Sequence, residues 1–311
     1  MVNGIINVYK EKGYTSFDVV AKLRGIFKQK KIGHTGTLDP DAEGVLPVCL
    51  GKATKVCELL TDKSKEYEAV LMLGKITDTQ DMTGTVLEEH EVNVTEQEVR
   101  EIIHSFVGES RQVPPMYSAL KVNGQKLCDL ARAGKTVERQ PRPITIFSIE
   151  ILKIELPRVR MRVHCSKGTY IRTLCQDIGE KLGCGGCMEQ LLRTRVSEFS
   201  LSDAKKISEI EELVHEYTEG VPPQEWNAAM FPFVSPVDAV FSQYSKAIVP
   251  DLYAKPLYNG NRIEPEMLLD FQTSMTEEPI RIYDEKEHFI GIYEFQQERS
   301  NFKPVKVFME E

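Results

Sequence analysis

Residues 33–51 read GHTGTLDPDAEGVLPVCLG. One acidic residue, Asp39, stands between a Gly/Thr-rich turn and a proline. Pro40 biases Asp39 toward extended backbone and fixes the turn that follows. Gly33, Gly36 and Gly44 permit unusual dihedrals or close approach of another group. The apolar run Val45, Leu46, Val48, Cys49, Leu50 then reads as a buried strand. Taken alone, Asp-Pro flanked by glycine is an ordinary turn. A carboxylate fixed on a constrained loop beside buried structure is also how a reactive group is held. The rest of the chain decides between these readings.

Working outward, Ile5–Tyr9 reads as a strand, and Ser16 opens an amphipathic helix bearing Val19, Val20, Leu23, Ile26 and Phe27. After the Asp39 loop, 53–60 reads as helical and 67–73 as strand. The segment 77–84, TDTQDMTG, is a turn-rich connection into Val86. Thr95 and Glu98 form a capping box for a helix ended by Gly108. Residues 144–154 and 159–165 read as paired strands, 169–182 as a helix, and 191–196 as a strand. Ser208 and Glu211 mark another helix start. The proline-rich stretch 221–236 reads as a boundary. Short β-like runs beyond about 240 indicate a small, mostly β domain.

The chain has 311 residues and a formal net charge of −8. The charge is unevenly spread. Residues 211–311 hold 19 acids against 8 bases, whereas residues 111–142 hold 7 bases against 2 acids. Pro114, Pro115, Pro141 and Pro143 bracket this basic stretch, which reads as a mobile insertion over 110–143 carrying Lys121, Arg132 and Arg142. Local basic patches, not whole-chain charge, govern contact with phosphates. No run has the roughly 18–20 apolar residues of a membrane span, and the first residues lack a signal-peptide layout. Seven scattered cysteines suit a reducing cytoplasm.

Other motifs dissolve on inspection. Gly44 to Gly51-Lys52 has the wrong spacing for a phosphate loop, with Ala53 where Ser or Thr is needed. Cys184-Gly-Gly-Cys187 lacks a second pair of ligands for zinc and reads as a turn, so no metal is expected. Asp39 and Asp41 lie too close on one turn to flank a glycoside.

In combination, several separated segments do carry a signature: GIINVYKEKGYTSFDVV (4–20), KIGHTGTLDPDAEGVLPVCLGKATKV (31–56), KEYEAVLMLGKITDTQDMTG (65–84), QVPPMYSALKVNGQKLCDLARAGKTVERQPRP (112–143), CSKGTYIRTLCQDIGEKLGCGG (165–186) and LLRTRVSEF (191–199). In this order they resemble the TruB family of tRNA pseudouridine synthases, which isomerise uridine 55 in the T loop. The resemblance runs over nearly the whole chain.

It implies an α+β fold: a large, mainly antiparallel mixed sheet with flanking helices over 1–240, the pseudouridine synthase fold, and a PUA-like domain over 241–311. It implies that Asp39 is the essential carboxylate, that Tyr67 stacks on the target base, and that Arg172 pairs with Asp39 and lowers its pKa. His34, Asp81, Tyr170 and Leu192 take substrate-binding roles, Leu192 as the apolar residue closing the pocket. Lys121, Arg132 and Arg142 join them from the insertion. Asp41 and Glu43 make this loop more acidic than in many members, and Cys187 departs from the usual residue there. The implied partner is the T stem-loop of tRNA, met by a cytoplasmic monomer that needs neither cofactor nor obligatory protein partner. An RNA-binding protein without catalysis and a glycosidase-like hydrolase are the alternatives. Whether Asp39 attacks C6, attacks C1′ or removes the C2′ proton is left open by the residues.

Overall fold

The computed structural model describes residues 1–269 and 278–308. The first half of the chain forms β1 (Gly4–Lys10), α1 (Ser16–Ile26), β2 (Ile32–His34), β3 (Glu43–Leu50), α2 (Cys57–Thr61) and β4 (Lys65–Leu73). A hairpin of β5 (Lys75–Thr77) and β6 (Val86–Glu89) follows, then α3 (Glu96–His104) and β7 (Gly108–Gln112). The basic segment contributes a small hairpin, β8 (Lys121–Val122) and β9 (Gln125–Lys126), and a short α4 (Leu127–Arg132). Next come β10 (Arg142–Glu155), β11 (Arg158–Cys165), α5 (Ile171–Lys181), β12 (Gly186–Val196), β13 (Phe199–Ser200), α6 (Ile207–Tyr217) and β14 (Val234–Ser235).

These strands build one ten-stranded sheet along the path β14-β1-β3-β12-β4-β11-β10-β7, with β2 on β3 and β13 on β12. Every pairing in it is antiparallel except β3 with β12. The expected α+β architecture is therefore the observed one. The apolar run of β3 is explained by burial on both faces. Leu46, Val48 and Leu50 pack with Val19, Val20 and Leu23 of α1 and with Ile207 and Ile210 of α6. Val45 and Cys49 point the other way, into a cluster with Ile5, Val240, Ile292 and Phe308. The period-2 geometry of a strand makes this split automatic.

On the other half of the sheet the two faces differ. Ala69, Leu71, Val159, Met161 and Val163 pack with Leu174 and Ile178 of α5 and with Val99 and Ile103 of α3. Their strand neighbours carry an exposed ladder in which Arg160 and Arg162 both pair with Glu68 and Arg158 pairs with Glu189. Cross-strand charge pairs of this kind keep a one-sided sheet soluble.

A second, four-stranded sheet orders β15 (Lys246–Val249), β16 (Ile280–Asp284), β17 (Phe289–Gln296) and β18 (Asn301–Val307), with α7 (Ala254–Tyr258) beside it. Phe241, Phe289 and Phe308 cluster where this sheet meets the larger one, with Phe289 stacked on Phe308. Residues 270–277 and 309–311 of the expected C-terminal domain lie outside the described residues.

Several boundaries differ from the sequence expectation. The α3 helix ends at His104, and Gly108 opens β7 rather than closing the helix. The α6 helix is opened by Lys206, whose backbone N–H donates to Glu209, not by Ser208 and Glu211. The ends of the 110–143 insertion belong to β7 and β10, so the part projecting from the sheet is 113–141. The 191–196 strand begins earlier, at Gly186.

Candidate active site

Two elements hold Asp39 from opposite sides. From β1, the buried Lys10 ammonium donates to three main-chain carbonyls: Pro40 at 3.0 Å, Ala42 at 2.5 Å and Glu11 at 3.2 Å. From the first turn of α1, Ser16 Oγ accepts the Leu38 N–H at 2.9 Å. Leu38 itself is buried in the main core. The residues before and after Asp39 are thus fixed, and its carboxylate side chain remains 40% exposed.

Arg172, in the first turn of α5, meets that carboxylate with a two-pronged contact, Nε to Oδ2 at 3.1 Å and Nη2 to Oδ1 at 3.3 Å. The rest of its guanidinium is equally engaged. Nη1 donates to Asp81 Oδ2 at 3.3 Å and to the Thr79 carbonyl at 3.2 Å, and Nη2 donates to the Tyr117 carbonyl at 2.8 Å. Asp81 is fixed in turn by Thr83 N–H at 3.0 Å and by the hydroxyls of Thr79 and Thr83. One buried arginine therefore joins the Asp39 loop, the β5–β6 hairpin and the basic insertion. A planar fork with five donors suits this junction, and a lysine does not.

Arg172 pulls the pKa of Asp39 down, as expected, but a larger effect opposes it. Burial, reinforced by Asp81 and Asp41, pushes it up on balance, although Arg172 and Lys10 pull it down. Burial also lowers the pKa of His34, which accepts the Gly36 N–H at 3.4 Å. Lys10 and Lys65 are both pushed down to about 8 by burial.

Asp39 opens onto a cleft of about 600 Å³. Tyr67, Tyr170, Ile171, Leu120 and Leu191 line it, and Lys167 and Arg142 are among its basic residues. Tyr67 is almost fully buried. Gln112 of β7 holds the backbone of Tyr170, accepting its N–H at 2.8 Å and donating to its carbonyl at 3.1 Å.

The structure thus brings Asp39, Tyr67, Arg172, Asp81, Tyr170 and Arg142 together. It corrects Leu192. Alternation along β12 puts Leu191 and Arg193 on the cleft face and turns Leu192 away from it, so Leu191 is the apolar wall. His34 lies at the end of β2, and Gly36 rather than His34 lines the cleft. Lys121 and Arg132 are exposed on the insertion, outside the cleft wall, with Arg132 paired to Asp129. Lys10, Gln112 and Arg193 were given no role by the sequence reading. The signal for Arg193 was available: once 191–196 is a strand, position 193 shares the face of 191.

Gly44 completes the scaffold. It has φ +105°, and a Cβ there would lie 2.2 Å from the Arg193 carbonyl oxygen. Only glycine lets β3 and β12 approach this closely.

Comparison with known proteins agrees with this architecture. The family description "TruB family pseudouridylate synthase (N terminal domain)" matches residues 24–171, and "tRNA pseudouridylate synthase B C-terminal domain" matches 172–242. The division between them falls at Arg172, in α5 between β11 and β12 of the ten-stranded sheet, and the four-stranded sheet lies beyond both. A relative from Lachnoclostridium phytofermentans, named tRNA pseudouridine synthase B, is 54% identical over 99% of this chain and 100% of its own length. One of the same name from Alkaliphilus oremlandii is 46% identical over 98% and 97%. Among solved structures, a Cbf5-Nop10-Gar1 complex contains a chain with TM-score 0.73 and 27% identity, covering 98% of this chain and 85% of that one. An H/ACA ribonucleoprotein bound to a substrate RNA containing 2′-deoxyuridine gives TM-score 0.72 at 25% identity, covering 99% and 85%. With the fold, the clamped carboxylate and full-length relatives in agreement, this chain belongs to the TruB family of pseudouridine synthases.

Proposed function

We propose that this protein converts uridine 55 in the T loop of tRNA to pseudouridine, with Asp39 as the essential carboxylate. The observation that carries the reading is the Asp39–Arg172 clamp opening onto the cleft beside Tyr67. The names of its full-length relatives support the choice of substrate.

The reaction breaks the C1′–N1 bond and rejoins the same uracil through C5. Nothing is oxidised overall. A uridine stacked in an RNA loop must first leave its stack, which costs a few kcal/mol. An aromatic face returns about 1–3 kcal/mol per stacked base, and Tyr67 supplies one. Arg172 orients the Asp39 carboxylate and favours its ionised form against the opposing effect of burial. Leu38, Ile171 and Leu191 keep water from the detached base, which must remain in place to rebond.

Single-stranded loops are the usual targets of specific RNA recognition. The 113–141 segment, carrying Lys121 and Arg132, closes over the T arm, with Arg142 at its base. The protein works as a cytoplasmic monomer, and the four-stranded C-terminal sheet acts as a PUA-like RNA-contacting domain. Among the described residues, no helix is long and apolar enough to cross a membrane.

The test uses a tRNA transcript with tritium at C5 of its uridines. Stoichiometric release of tritium to water by the wild type, abolished in Asp39→Ala, is the expected result. Binding without release assigns an RNA-binding role instead. Free uracil as product assigns a hydrolase.

A further inference from the structure

Four cations sit buried around this cleft: Lys10, Lys65, Arg172 and Arg193. Three have their donors engaged. Lys10 is held by main-chain carbonyls, Lys65 by the carbonyls of Thr61 and Lys63, and Arg172 by two carboxylates and two carbonyls. Arg193 differs. Its Nε donates to the Val45 carbonyl at 2.7 Å, but its Nη2 is buried with no hydrogen-bond partner, and it forms no ion pair among the described residues. Only 1% of the residue is exposed, and it lies directly opposite Tyr67 in the β12–β4 register, on the cleft wall. Burial works against its charge, and attraction and a side-chain hydrogen bond from the facing Tyr67 offset only part of that effect, leaving Nη2 without an acceptor. An unpaired buried charge is expensive, and arginine does not escape by losing its proton. Such a group is retained where a ligand supplies the missing acceptor.

Resting on the reading of this cleft as a uridine site, we propose that Arg193 is a catalytic residue whose Nη2 donates to a uracil carbonyl oxygen and stabilises the negative charge the base acquires during isomerisation. The location favours the base over a phosphate. Arg193 shares its wall with Tyr67 and Leu191, whereas the exposed Arg142 at the cleft is placed to meet the backbone.

The charge arises by every route open to Asp39. Heterolysis of C1′–N1 sends its electron pair to N1, from which conjugation spreads it over O2 and O4. C1′ is then captured by the Asp39 oxygen, or the sugar loses its C2′ proton to that carboxylate. Addition of Asp39 to C6 instead drives the C5–C6 pair onto O4. In each case the ring holds one extra negative charge before C5 bonds to C1′. As C5 bonds to C1′, Asp39 is released: displaced from C1′, expelled from C6 by elimination, or freed by returning the proton to C2′; C5 then loses its proton and N1 gains one, so no net charge remains. A preorganised donor in a dry site acts most strongly on such developing charge.

The experiment compares wild type, Arg193→Gln and Arg193→Lys on T-arm RNAs carrying uridine or 5-fluorouridine at position 55. Single-turnover detachment of the base from N1 and RNA affinity are both measured. Fluorine withdraws electrons and makes the base a better leaving group, so it lessens the need for Arg193. Arg193→Gln should slow the uridine reaction about 100-fold, leave affinity within about threefold, and slow the 5-fluorouridine reaction about tenfold less. Arg193→Lys, which keeps the charge and folds more readily, should show a smaller loss with the same fluorine dependence, and it carries the test if the Gln variant does not fold. Equal losses on both RNAs would mean a structural role and overturn the proposal. Weaker binding with a shallower salt dependence and unchanged chemistry would make Arg193 a phosphate seat. An inactive wild type would instead defeat the assignment of the cleft itself.

Discussion

Replacing Lys10 with methionine should separate stability from activity, and the separation should depend on pH. Lys10 is 0% exposed and its pKa is pushed from 10.5 to about 8 by burial. Near pH 7 the folded protein therefore carries a charged, desolvated ammonium. The gap from the unfolded value corresponds to about 3 kcal/mol of lost stability. The same ammonium holds the Asp39 loop. Without it the Pro40 carbonyl still accepts from Gly13 N–H at 3.0 Å, but the Ala42 carbonyl loses the donor described for it. An orphaned buried carbonyl costs about 1–3 kcal/mol. The two effects nearly cancel near pH 7, so Lys10→Met should stay within about 1 kcal/mol of wild type there. Because the folded pKa lies below the unfolded one, the wild type gains stability as pH rises through 8 toward 10.5. Near pH 10 the variant should trail by about 2–3 kcal/mol. Urea unfolding of both proteins at the two pH values measures the difference. A stability gap that does not change with pH would refute the reasoning. Single-turnover rates near pH 7 should fall while stability holds, because Asp39 is no longer held from β1.

Four other outcomes are expected. Gly44→Ala forces a Cβ to 2.2 Å from the Arg193 carbonyl at φ +105°, so urea unfolding should register a loss above about 3 kcal/mol. Arg172→Lys keeps a charge but not the fork to Asp39, Asp81 and Tyr117; the single-turnover rate should drop about 100-fold with tRNA affinity little changed, and a loss confined to affinity would contradict this. Removing both Lys121 and Arg132 should make the salt dependence of tRNA binding shallower, by a slope of about one for each phosphate no longer neutralised, with the rate at saturating RNA unaltered. Asp81 pushes the Asp39 pKa up; in Asp81→Asn the acid limb of the pH–rate profile should therefore move to lower pH.

Much of this was legible in the chain. The capping box at Thr95/Glu98 forms as expected, and the 33–51 stretch is a buried strand entered from a loop that fixes a carboxylate. Resemblance supplied the pairing of Asp39 with Arg172, which lie 133 positions apart. What escaped was local geometry decided by distant partners. Leu192 was chosen where Leu191 faces the cleft, because the phase of a strand is set by its neighbours, here β3 and β4. Arg172 lowers the Asp39 pKa as their pairing implies, but the net direction is set by burial, a property of the folded loop rather than of the residues that pair with it. Lys10 and Gln112 work through backbone carbonyls and amides, which carry no mark in a sequence. The α6 start was misplaced by two residues because Ser208 looked the better cap, while the observed N-terminus uses the Glu209 carboxylate on the Lys206 N–H.

The one parallel pairing in the large sheet has a consequence for how the protein comes into being. β12 sits between β3 and β4, yet it is made more than a hundred residues after either. Until Val196 has been synthesised, the strands around β1 and β3 and those around β4, β11 and β10 are two half-sheets with exposed inner edges and no direct join. Closing them requires pairings of long sequence separation, the kind that slow folding. A nascent chain at this stage offers its open edges to whatever strand or chaperone is nearby, and Asp39, Arg172 and Tyr67 come into register only when the central strand arrives. Assembly of the cleft is thereby tied to completion of the sheet.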